Sequence, residues 1–172
     1  MKTAAHIADA PVRMKPYPDF TENYAMGKIT TKIKVQNWDD LTLLALGETG
    51  RRPRTFEGEA IVDTGAVHLY LRKSVIAQLG LRPLRTWTSR TMSNIVETRQ
   101  VFSPVDLEIM GRSGTFQVVE LPDELPNVVG QIPLEFMDWV IDMGAHKLTG
   151  NPEHGGEWID EEYAERPEPD GK

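Results

Sequence analysis

The chain has 172 residues, with 19 Lys and Arg against 26 Asp and Glu, a formal net charge of −7, four His and no Cys. The length suits one domain with a core of its own. The absence of Cys excludes disulfides and thiolate metal sites and fits a reducing, cytoplasmic location. The acidic balance argues against a nucleic-acid partner, because phosphate binding needs a basic surface. Part of the charge is local: between Asn151 and Lys172, Glu153, Glu157, Asp160, Glu161, Glu162, Glu165, Glu168 and Asp170 stand against Arg166 and Lys172.

Residues 1–25 carry Pro11, Pro16 and Pro18 and no clear period, and read as a flexible N-terminal arm. They lack the apolar core of a secretory leader, and no stretch of the chain approaches the apolar length that spans a bilayer, so no membrane partner is expected. Ile29, Thr31, Ile33 and Val35 alternate with Lys28, Thr30, Lys32 and Lys34, the period of a half-buried strand. Leu41–Leu46 reads as a second, apolar strand, followed by a Gly- and Arg-rich loop to Pro53. Phe56–Val62 is a strand that runs into Asp63-Thr64-Gly65-Ala66. Leu69–Leu71 is short and apolar, and Ser74–Leu79 reads as a two-turn helix closed by Gly80.

Arg85–Val101, rich in Thr, Ser and Arg, reads as a polar hairpin with Met92-Ser93-Asn94 near its middle. Val105, Leu107 and Ile109 alternate with Asp106 and Glu108 as another strand, Gly111–Gly114 reads as a hairpin turn, and Thr115–Leu121 returns. Val128-Val129-Gly130 is a short apolar run ending in Gly, Ile132–Met137 a short helix with Pro133 at its first position, and Trp139–Asp142 with Lys147-Leu148 a final strand pair. Many short strands, frequent turn signals and two short helices predict an all-β domain over residues 26–152. Residues 153–172 form an acidic C-terminal tail, expected to be disordered, with packing against the domain or a self-cleavage or self-inhibition role as the other readings.

The ordered set of motifs from Gly27 to Pro152 resembles the retropepsin-like aspartic proteases of clan AA, in particular the small prokaryotic members. The resemblance is carried by Gly27-Lys28-Ile29, the apolar strand plus Asp-Thr-Gly-Ala at Glu59–Ala66, the strand and helix over Leu69–Leu81, Val128-Val129-Gly130, and the segment Ile132–Asp142. It implies a closed acid-protease barrel with one or two short helices, whose catalytic loop lies at a homodimer interface against the apolar-apolar-Gly element. It implies that Asp63 pairs with its copy as the catalytic dyad, that Thr64 bonds across to the partner loop, that Gly65 supplies the turn and an N–H for the carboxylate, and that Ala66 packs where the two loops meet. The hairpin Thr88–Gln100 would be the flap that closes over a polypeptide substrate, with Ala66, Met92, Ser93, Asn94 and Gly130 lining the substrate site. Its middle differs from the Gly common at the family's flap tip, and Gln131 stands where retroviral members often have Arg.

The chemistry implied is endopeptidase hydrolysis by an activated water, with one carboxylate taking a proton and the other donating one, and without a metal or organic cofactor. The alternative is a non-catalytic dimerisation or peptide-binding module on the same fold. As a turn residue, Asp63 would need only to cap a strand end. Asp142-Met143-Gly144 lacks the Thr and reads as a turn in the final hairpin. His68 reads as a partly exposed strand residue, with a pocket-lining role as the other reading. None of His6, His68, His146 and His154 has metal-ligand spacing with another His. Ser74 and Ser93 lack a His-Asp arrangement. Trp38, Trp87 and Trp139 read as core or interface, Trp87 with a further pocket reading at the flap base.

Overall fold

The computed structural model describes residues 28–90 and 96–159. The arm 1–25, Gly27, Met92, Ser93, Asn94 and residues 160–172 of the acidic tail lie outside the described residues. The elements in chain order are β1 (Ile29–Asn37), α1 (Trp38–Ala45), β2 (Thr55–Val62), β3 (Leu69–Arg72), α2 (Lys73–Leu79), β4 (Pro83–Arg90), β5 (Val96–Ile109), β6 (Arg112–Leu121), β7 (Asn127–Val129), α3 (Gln131–Phe136), β8 (Trp139–Asp142) and β9 (Lys147–Gly150), then a 3-10 turn at Pro152–His154.

The domain is predominantly β, with few short helices, as the sequence predicts. Strands pair in the order β1-β2-β7-β3-β6-β5, and β5 pairs back onto β1, which closes a six-stranded barrel; β4 extends from β5 outside the ring. Closure leaves the ring without free strand edges. The period-2 patterns set what fills it. Ile29, Ile33 and Val35 from β1, Val105, Leu107 and Ile109 from β5, and Leu69, Leu71, Val118 and Val129 from the other wall form one buried cluster. On β5 the register shifts between Phe102 and Val105. Pro104 lies in that interval, where the ladder lacks an N–H donor, so the outer hairpin and the barrel strand are two arms of one bent strand.

Three boundaries differ from the sequence reading. The apolar run Leu41–Leu46 falls in α1 and its C-cap rather than in a strand. Asn37 caps that helix, its Oδ1 accepting from the Asp40 N–H at 3.1 Å, and Asp39 and Asp40 occupy the first turn, which the positive helix end favours. The turn between β5 and β6 is Met110-Gly111, both at positive φ, and Arg112–Gly114 already belong to β6. Helix α3 starts at Gln131, so Pro133 is its third residue; its missing N–H is one of those a helix start leaves unpaired in any case. Gly80 does close α2, in the left-handed conformation, with its N–H on the Ala77 and Ile76 carbonyls.

The first residues of the acidic tail are held to the barrel. The Arg112 guanidinium lies 4.1 Å over the Trp139 ring and donates to the carbonyls of Met137 (2.8 Å), Asp138 (2.6 Å) and Gly156 (2.5 Å). His154 Nδ1 lies 2.7 Å from Asp138 Oδ2, and Asn151 Nδ2 donates to Asp138 Oδ1 at 3.0 Å. Burial raises the Asp138 pKa, and the His154 and Asn151 hydrogen bonds outweigh it, leaving the carboxyl below its ordinary value.

Candidate active site

Asp63 follows the last residue of β2. The parallel pairing of β2 with β7, Ala60 to Asn127 and Val62 to Val129, continues one residue further, with the Asp63 N–H donating to the Val129 carbonyl at 3.1 Å. The Ala66 N–H returns to the Asp63 carbonyl at 3.1 Å and closes a tight turn. Inside it the Gly65 N–H donates to Asp63 Oδ1 at 2.8 Å and fixes the carboxylate's orientation.

Strand β7 lies between β2 and β3, so the loop that joins those two strands wraps around its end. From the far side, Gly130 N–H donates to His68 O (2.9 Å), Gln131 N–H to Ala66 O (2.8 Å) and Ile132 N–H to Val67 O (3.0 Å). Gly130 is buried beneath the loop. A Cβ there would lie 2.5 Å from the His68 carbonyl oxygen and 2.7 Å from that of Ala66, so the approach is open to glycine alone. Buried Asn127 adds a second tie, accepting from the Arg72 N–H at 3.0 Å and donating to the Glu59 carbonyl at 3.3 Å. It links the strands on either side of β7, and a lone Asn before an apolar pair gave no sequence signal for that.

Above the clamp the loop is open. Asp63, Thr64 and Gly65 are exposed and Ala66 is half-buried, and the Thr64 hydroxyl has no partner among the described residues. Lys28 stands in the field of the Asp63 carboxylate: partial burial lowers its ammonium pKa below the ordinary value, and Asp63 acts in the opposite direction. Val67 and Ile132, each 45% exposed, are apolar neighbours of the loop.

Beyond the loop, His68 stacks on Trp87 of β4, ring centroids 4.3 Å apart, and burial holds its imidazole pKa below the ordinary value, favouring the neutral ring. The two rings line a pair of adjoining cavities. One, of about 210 Å³, is completed by Phe116, Gln117, Ile132 and Pro133 among others. The other, of about 260 Å³, is completed by Val67, Tyr70, Thr88 and Arg99 among others. Arg99 faces Trp87 across the hairpin. Arg85, two residues before Trp87 and so on its face of the strand, lies 5.4 Å over the indole and donates to Gln117 Oε1 at 2.5 Å. By sequence this stretch reads as a polar hairpin, in which Arg85 is not singled out; its period-2 spacing with Trp87 is the signal that ties the two to one face of β4.

No protein-family model matches this chain, and no curated protein matches it.

Other sequence candidates have structural places. Ser74 donates through Oγ and N–H to Asp123 Oδ1, at 2.7 and 2.9 Å, at the start of α2. Asp142 Oδ1 accepts from the Ala145 N–H at 2.9 Å within the β8–β9 turn. Among the described residues no group of three or more His, Asp or Glu side chains is arranged to hold a metal ion.

Proposed function

We propose that the chain is a retropepsin-like aspartic endopeptidase in which Asp63 pairs with Asp63 of a second copy. The observation that carries this is the loop itself: an exposed Asp63 carboxylate, oriented by the Gly65 N–H at 2.8 Å, on a backbone clamped from both sides by β7 and Gly130. Two-fold association would bring identical loops face to face. The Thr64 hydroxyl, without a partner among the described residues, and the exposed apolar Val67 and Ile132 would serve such a contact at its centre and its rim.

In the pair, close carboxylates share one proton. The ionised member takes a proton from a water held between them. The protonated member donates to the scissile carbonyl oxygen as the water's oxygen attacks the carbonyl carbon. The two titrate as a unit, and activity is expected on the acid side of neutral. A polypeptide substrate would lie along the face formed by His68, Trp87 and the β4–β5 hairpin.

The second reading is a non-catalytic dimerisation or peptide-binding module, and one observation favours it: the Lys28 ammonium of the same chain lies in the field of the Asp63 carboxylate. Light scattering together with cleavage of a mixed peptide library between about pH 4 and pH 7 tests both, for the wild type and Asp63→Asn. A dimer whose cleavage disappears in Asp63→Asn is the expected result. Cleavage that survives refutes the dyad, and a dimer inert in both forms selects the binding module.

A further inference from the structure

We propose that the cleft between α1 and the loop that follows it is a docking site for an acidic, leucine-bearing segment of a partner protein. The site is separate from the Asp63 loop and does not rest on the endopeptidase reading. The cleft precedes β2 and Asp63 follows it, so the two lie at opposite ends of an eight-residue strand, roughly 25 Å apart.

The cleft is built on a fixed frame. Its volume is about 460 Å³, and Asp40, Leu43, Thr49, Arg51, Arg52 and Arg54 line it. Asp40 sits in the first turn of α1, which Asn37 caps. Its carboxylate accepts three bonds from Arg54: from Nε at 2.7 Å, from Nη2 at 2.7 Å and from the backbone N–H at 3.0 Å. Arg54 Nη1 donates to the Gly80 carbonyl at 3.4 Å. The far end of the loop is thereby tied to the helix. At the near end the Glu48 N–H donates to the Leu43 carbonyl at 3.0 Å, and Thr49 Oγ1 accepts from the Arg51 N–H at 3.1 Å.

This frame leaves two arginines over. Arg54 and Asp40 satisfy each other, and Asp39 is taken by Arg82 at 2.8 Å. Arg51 and Arg52 are exposed, and neither guanidinium has a hydrogen bond or an ion pair among the described residues. The lining therefore carries three guanidinium groups against one carboxylate, in a chain whose formal net charge is −7. Glu48, the other carboxylate of the loop, does not line the cleft.

The other wall is apolar and uncovered. Helix α1 buries none of its residues; Leu43 is 44% exposed, Leu44 42% and Leu46 69%. A surface helix ordinarily turns such a stripe to the core. Asp40, Leu43 and Leu46 recur every three residues, so the face that lines the cleft at Asp40 and Leu43 continues to Leu46. Leucines on one wall and unpaired guanidinium groups on the other match a segment that carries apolar side chains and carboxylates together. The concavity suits a protruding chain segment better than a bilayer, which lies against flat or convex faces. A phosphate backbone would use the arginines and leave the leucines uncovered.

Fluorescence anisotropy on the full chain at neutral pH tests this, with a labelled peptide in which Glu residues flank a Leu-Leu pair. The expected result is saturable binding to the wild type, weakened roughly tenfold by Arg51→Glu/Arg52→Glu and by Leu43→Ser, and weakened by added salt. The same peptide with Lys in place of Glu should bind Arg51→Glu/Arg52→Glu better than it binds the wild type, a gain that a misfolded variant would not show. Asp63→Asn should bind the first peptide as the wild type does. Absence of binding to the wild type, or equal binding to all forms, overturns the proposal. Inorganic phosphate, or vesicles containing phosphatidylserine, that bind through Arg51 and Arg52 where the peptide does not, overturn it in favour of a bare anion site or a membrane surface. Binding lost in Asp63→Asn overturns the separation of the two sites.

Discussion

Gly130→Ala is the substitution that most directly tests how the candidate site is held. The new methyl would lie 2.5 and 2.7 Å from two carbonyl oxygens, His68 and Ala66. Both are backbone atoms of the loop, and those carbonyls already accept from Gly130 and Gln131 at 2.9 and 2.8 Å. Relief therefore requires β7 and the loop to separate. Overpacking in a close-packed region costs about 1–3 kcal/mol, and stretching two hydrogen bonds adds about 0.5–1.5 kcal/mol each. The expected loss is about 3 kcal/mol, read as a lowered urea midpoint at fixed protein concentration with the slope unchanged. Gly50→Ala is the control, since a Cβ at Gly50 meets nothing within 4 Å and its φ is not positive. A Gly130→Ala midpoint within about 0.5 kcal/mol of that control would refute the clamp.

Leu107→Ala should cost about 2–5 kcal/mol in the same urea assay, because Leu107 is fully buried at the centre of the barrel cluster; a smaller loss would mean that the barrel interior collapses onto the gap. Asn37→Ala removes the cap of α1 and a buried donor to the Leu79 carbonyl at 2.9 Å. It should cost about 2–3 kcal/mol, with a helical loss visible by circular dichroism. The Asp138 carboxyl titrates below its ordinary value in the folded state, so its contribution is complete above the unfolded value near 3.9 and is lost as pH falls through the lower folded value. Asp138→Asn should therefore flatten the stability profile below about pH 4, and a profile as steep as the wild type's would refute that account.

Alternation and turn chemistry made part of the fold legible: β1 and the inner part of β5 follow from period-2 patterns, and α2 from its closing glycine. The run Leu41–Leu46 was not legible because short apolar runs fit strand and helix alike. What decides it is Asn37 three residues before Asp40, a capping signal outside the apolar run. Barrel closure was not legible either, since it depends on β1 pairing with β5 about seventy residues away (Lys34 with Glu108). At the site, the resemblance anticipated the contact between Val128-Val129-Gly130 and the Asp63 loop. The grouping of Arg85, Trp87 and His68 was missed, because it brings β4 against the start of β3, two elements without a shared local pattern.

The clamp below Asp63 and the opening above it make different demands, and one arrangement meets both. The Gly65 N–H on the carboxylate sets the turn, and the glycine at position 130 admits β7 to within hydrogen-bonding distance of the loop. Under the proposed reading, proton sharing between two carboxylates would draw on that rigidity, since their separation must be held to a fraction of an ångström through a reaction that moves charge between them. A barrel with one Asp-Thr-Gly loop can supply half of such a pair and a rigid frame for it. In the proposed pair the other half would come from a second copy, and the exposed Asp63 and Thr64 are the groups that would meet it. Dimer assembly and catalysis would then be one equilibrium: burying two ionised carboxylates against each other is unfavourable unless one is protonated. The dimer mass measured by light scattering should accordingly fall as pH rises and the shared proton is lost, and should do so less in Asp63→Asn, where no charge develops. A wild-type dimer whose mass is independent of pH between about pH 4 and pH 8 would separate assembly from the dyad and remove this link.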